Sequence, residues 1–60
     1  MSYQMPLEST SLEALDIMKA ICFEVRTENL LCAMQAIREL ESVLRDLHAQ
    51  IVEEVEERDL

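Results

Sequence analysis

Not one glycine occurs among the 60 residues, and the only proline is Pro6. Glycine supplies the left-handed backbone that tight hairpins and phosphate-cradling loops need, so its absence argues against a hairpin-rich β architecture and against a nucleotide-binding loop. After Pro6 nothing in the chain breaks a helix, and alanine, leucine, glutamate and arginine recur throughout. The predicted fold class is all-α.

Hydrophobic spacing divides the chain. Residues 1–9 show no periodicity and read as a flexible N-terminal arm. Thr10-Ser11-Leu12-Glu13 has the form of a capping box, which predicts a first helix over about residues 10–26. Its apolar arc, Ala14, Leu15, Ile17, Met18, Ile21, Cys22 and Val25, is roughly 160° wide, broader than a coiled-coil seam, so this helix should touch more than one neighbour. From Leu30 the apolar residues alternate by three and four: Leu30, Ala33, Ile37, Leu40, Leu44, Leu47, Ile51. Carried backwards, that frame would put Arg26 and Lys19 on the seam. The phase therefore breaks at residues 26–29, which predicts a turn at 27–29 and a second helix over about 30–57. One continuous bent helix is the alternative, because no glycine or proline enforces the turn.

The prediction is a two-helix antiparallel hairpin within residues 10–60. Ala36 and Val43 widen the second seam at a flank where a two-stranded zipper would carry charge, which suits a bundle. The second helix should outreach the first and leave Leu47 and Ile51 to be covered. A second copy is the simplest cover, giving a symmetric four-helix bundle. The residues expected to form the core and dimer seam are Ile17, Ile21, Val25, Leu30, Ile37, Leu40, Leu44, Leu47 and Ile51. Met18 and Met34 are expected in the core as well.

Thirteen acids against five bases give a net charge of −8, which disfavours a polyanionic ligand. The bases Lys19, Arg26, Arg38, Arg45 and Arg58 are scattered, and Tyr3 and Phe23 are the only aromatics on which a nucleobase could stack. In length and architecture a short acidic hairpin dimer resembles the Rop family of plasmid copy-number proteins, which would imply binding to paired RNA loops. No motif matches, however, and helix 1 lacks the basic and aromatic set of an RNA face.

No catalytic, cofactor-binding or metal-binding residues are expected. The single histidine, His48, has no Ser or Cys three or four residues away, and with Glu41 or Glu53 it does not form the Glu-x-x-His pattern of di-iron bundles. It reads as a surface or boundary residue. Cys22 and Cys32, ten apart, match no zinc or redox motif, so buried or half-buried free thiols of a reducing cytosol are expected, with a disulfide as the alternative. The N-terminal residues do not resemble a signal peptide, and no apolar run has the length of a membrane span. A soluble cytoplasmic protein with no membrane partner is the expectation.

Two features point to protein partners. The segment Glu53-Glu54-Val55-Glu56-Glu57-Arg58-Asp59 holds five acids in seven residues, either a solvating tail or a docking element for a basic surface. On helix 1, Leu12 and Phe23 flank Asp16 and Lys19 on a ridge off the apolar arc, and Leu31 adds apolar surface beside the turn. These features predict a small acidic non-enzymatic adaptor or regulator of the inhibitor, anti-activator or chaperone type. It would bind itself and a heterologous protein with a basic or apolar groove. The alternatives are an acidic nucleic-acid mimic that blocks a DNA-binding protein, a purely structural homo-oligomerisation module, and a Rop-like RNA-binding regulator.

Overall fold

The computed structural model describes residues 6–58. Two α-helices pack against each other: α1, Pro6–Arg26, and α2, Leu30–Arg58. With 21 and 29 residues they are about 31 and 43 Å long at 1.5 Å per residue.

α1 begins at Pro6, four residues ahead of the expected capping box. Proline has no amide hydrogen to leave unpaired and its fixed φ is already helical, so the first position suits it. Glu8 in the first turn adds a favourable charge at the positive end of the helix dipole. Thr10 and Glu13 therefore lie inside the helix, and the Ser11 hydroxyl donates back to the Glu8 carbonyl at 2.8 Å. Ser9 and its neighbours back to Pro6 belong to α1 rather than to an arm; residues 1–5 of that expected arm lie outside the described residues.

The turn falls at residues 27–29, where the phase of the seam breaks, and the continuous helix does not form. Two crossed bonds close α1: Asn29 N–H donates to the Glu24 carbonyl at 2.7 Å, and Glu28 N–H to the Val25 carbonyl at 3.1 Å. This is a Schellman closure, and it requires a left-handed residue between helix and exit. Glu28 fills that place at φ 63°, where a glycine would ordinarily stand. The Thr27 hydroxyl donates back to the carbonyls of Phe23 (3.0 Å) and Glu24 (3.3 Å), each of which also accepts a backbone N–H, from Thr27 and Asn29 respectively. Asn29 then starts α2, its carbonyl accepting from Ala33 N–H at 3.1 Å.

Counted outward from the turn at equal rise, the least exposed positions of the two antiparallel helices pair in six rungs: Leu7 with Gln50, Thr10 with Leu47, Ala14 with Val43, Ile17 with Leu40, Ile21 with Ala36, and Glu24 with Ala33. Alanine stands opposite a larger side chain in three of them, which lets the axes approach closely. The residues expected in the core and dimer seam divide between this line and its neighbour. Leu40 and Leu47 do face α1, but so do Ala36 and Val43, which the spacing had placed on a flank. Leu30, Ile37, Leu44 and Ile51 are exposed, as are Val25, Met18 and Met34. Two heptad stripes run side by side on α2, and the three–four alternation had merged them.

The hairpin measures 48 × 23 × 11 Å, two helices wide and one helix thick. Among the described residues only Ala14, Ile21, Ala33 and Val43 are buried, and no side chain is fully enclosed. No described helix is long and apolar enough to cross a membrane.

Candidate interaction faces

A one-layer plate has two broad faces and two edges, and the helical repeat decides what each shows. On α1 a stripe of Leu15, Met18, Cys22 and Val25 lies roughly 90° around the helix from the line facing α2. On α2 the stripe of Leu30, Met34, Ile37, Leu44, Ile51 and Val55 lies by about the same angle from the line facing α1. Because the helices are right-handed and antiparallel, both rotations carry the stripes to the same side of the plate. One face is therefore apolar from the turn to beyond the start of α1. Setting aside Cys22, these side chains are between 42 % and 59 % exposed. At about 80 Å² for each half-exposed residue they present roughly 700 Å² of apolar surface, more than a typical monomer shows in one patch and close to one partner's share of a standard interface. Glu41 and His48, both exposed, fall within the α2 stripe as its polar interruptions.

The opposite face carries Glu13 and Asp16 from α1 and Glu39, Asp46, Glu53 and Glu57 from α2, all exposed. The bases sit elsewhere: Lys19 and Arg26 toward the outer edge of α1, Arg38 and Arg45 on the outer edge of α2. The tail acids do not form one patch. Glu53 and Glu57 join the acidic face and Glu56 the outer edge, while Glu54 continues the line facing α1 and takes the Arg58 guanidinium at 3.5 Å.

The proposed ridge residues are all exposed: Leu12, Lys19 and Phe23 on the outer side of α1, Asp16 where that side meets the acidic face, and Leu31 on the outer edge of α2. The structure brings the first four together and separates them from Leu31 by the width of the plate, so the apolar surface beside the turn is not one patch. Cys22 and Cys32 are free and exposed, contrary to the expected burial, because neither faces the other helix. His48 is exposed, as its boundary position in the sequence suggested.

The hairpin contact ends on polar groups. Glu24 Oε1 in the rung beside the turn and Gln50 Oε1 in the rung at the start of α1 are buried and accept no hydrogen bond within the chain. Among the described residues there is no pocket and no group of three or more potential metal-ligating side chains. The coherence of the apolar face escaped the sequence reading; the signal was present as a second heptad on each helix, displaced by one residue from the first. Comparison with protein-family models, curated proteins and solved structures finds no match to this chain.

Proposed function

We propose that this chain is a self-associating, non-enzymatic protein-binding module, in which two hairpins join by their apolar faces into a four-helix bundle and the surface left outside engages a heterologous partner as an adaptor or regulator. The observation that carries the reading is the apolar face itself: eight or more large side chains half exposed on one side of a plate 11 Å thick. A helical layer that shows such a face ordinarily buries it against a second layer. The second copy brings a self-complementary surface of the right area without any further component.

Outside the bundle, the acidic face and the Leu12–Phe23 ridge offer steering and affinity respectively. Sedimentation equilibrium on the full chain tests the first half of the reading: a dimer is expected at micromolar concentration, and a monomer throughout would refute it. For the second half, the chain is used as bait in lysate of its native host at low and moderate salt. Binding that survives salt and fails in the Leu12→Ala, Phe23→Ala double variant supports the ridge. The six acids on a face without a base favour one rival, mimicry of a nucleic acid, which predicts binding lost with moderate salt and on neutralising Glu53 and Glu57.

A further inference from the structure

Resting on self-association, we infer that the second copy lies head to tail, with the two-fold axis perpendicular to the helices, so that α1 packs on α1 of the partner copy and α2 on α2. Two hairpins joined face to face about a two-fold axis have only two aligned arrangements. With the axis along the helices, the two turns share one end and α1 meets α2 of the other copy. With the axis across them, the turns lie at opposite ends.

The layers of the resulting core decide between these. Directed to the bundle centre are Leu7, Ser11, Ala14, Met18, Ile21 and Val25 of α1, each level with one residue of α2: Ile51, Leu47, Leu44, Leu40, Ile37 and Ala33 in that order. Turn to turn, every layer is doubled. Four isoleucines (two each of Ile21 and Ile37) would crowd one layer, while the layer beside it would hold two valines and two alanines. Head to tail about the midpoint of α1, the layers exchange. Val25 and Ala33 meet Leu7 and Ile51; Ile21 and Ile37 meet Ser11 and Leu47; Met18 and Leu40 meet Ala14 and Leu44. Each layer then contains one small residue and three large ones, which fills a bundle of even width.

The same register overlaps α1 with its copy along its whole length. It puts Arg26 of one chain within reach of Glu8 of the other, twice by symmetry. The two Glu41 residues come near the axis, flanked by Arg38 and Arg45 of both chains. It also holds the two acidic C-terminal segments at opposite ends, far beyond the roughly 8–10 Å over which charges interact at physiological salt. Turn to turn, both segments would crowd one end.

Interspin distance on a nitroxide at Glu28→Cys, in a Cys22→Ala, Cys32→Ser chain, tests the arrangement once sedimentation shows that chain to be dimeric. Head to tail predicts about 35–40 Å between the turns, and turn to turn about 15–20 Å, from the helical rise and the spacing of packed helices. A dimer with the short distance overturns this inference and leaves self-association standing; a monomer at all concentrations overturns both. As a second readout, Glu8→Lys should weaken the dimer several-fold and Glu8→Lys with Arg26→Glu should restore it. Failure of the double variant to recover would likewise count against the register.

Discussion

Replacing Glu28 by glycine should stabilise the protein. Glu28 is held at φ 63° by the crossed bonds from Asn29 to Glu24 and from Glu28 to Val25. For a residue with a Cβ the left-handed region costs about 1–2 kcal/mol, which glycine does not incur. Glycine has more freedom to lose on folding, which takes back about 0.5–1 kcal/mol. The net gain is about 0.5–1 kcal/mol, or roughly 2–8 °C in Tm for a domain of this size. Thermal melts followed by circular dichroism would measure it, at one fixed chain concentration so that association does not shift the midpoint. Glu28→Gln and Glu28→Ala are the controls, since both remove the charge and keep the Cβ. The reasoning fails if glycine leaves Tm unchanged or lowers it. It fails equally if alanine and glutamine raise Tm as much as glycine does, because the gain would then come from removing an acid from a chain of net charge −8.

Gln50→Leu should raise stability by about 1–2 kcal/mol in chemical denaturation, because the buried Oε1 loses its hydration without gaining a donor. Ala36→Leu should cost about 1–3 kcal/mol, since Ala36 faces Ile21 where the helices come close, and unchanged stability would argue against the rungs described above. Leu44→Glu should abolish the dimer in sedimentation at micromolar concentration, whereas the Leu12→Ala, Phe23→Ala double variant, on the outer side of α1, should leave it intact. Arg58→Ala should change stability by less than about 0.5 kcal/mol, the range of an exposed i, i+4 ion pair.

The turn was legible because the hydrophobic phase shifts just where polar residues cluster, which is where one helix can give way to another. Lys19 and Arg26 do not fit one apolar line with Leu30 and Ile37, and the break falls at residues 27–29 where the structure places the turn. The means of closing it was hidden, because nothing in the local sequence marks Glu28 as left-handed; the two crossed hydrogen bonds impose that conformation. The start of α1 was misplaced because Thr10 and Glu13 have the composition of a cap, while Pro6 makes an earlier start equally suitable. The lateral placement of residues was the harder problem. Ala33, Ala36 and Val43 differ too little in character from Leu30, Ile37 and Leu44 to show which line meets α1. Where an alanine takes that place the axes can close, and its larger neighbour on the helix is left on the open face. Met34, beside Ala33, lies on the open face for that reason, whereas Met18 and Cys22 lie there because Ile17 and Ile21 hold the line facing α2.

A plate 11 Å thick leaves every amide of the two helices a single helix radius from solvent on at least one side. When the missing layer is another copy of the same chain, the free energy of folding is no longer a property of the molecule alone. It shifts with abundance: each tenfold dilution removes about 1.4 kcal/mol from the association on which the fold depends. Scarce chains would spend more of their time open to proteases, while abundant ones would protect each other. Such a protein is cleared faster as its level falls, so that its surviving amount responds to synthesis more steeply than in proportion, a threshold arising from thinness and self-pairing with no dedicated sensor.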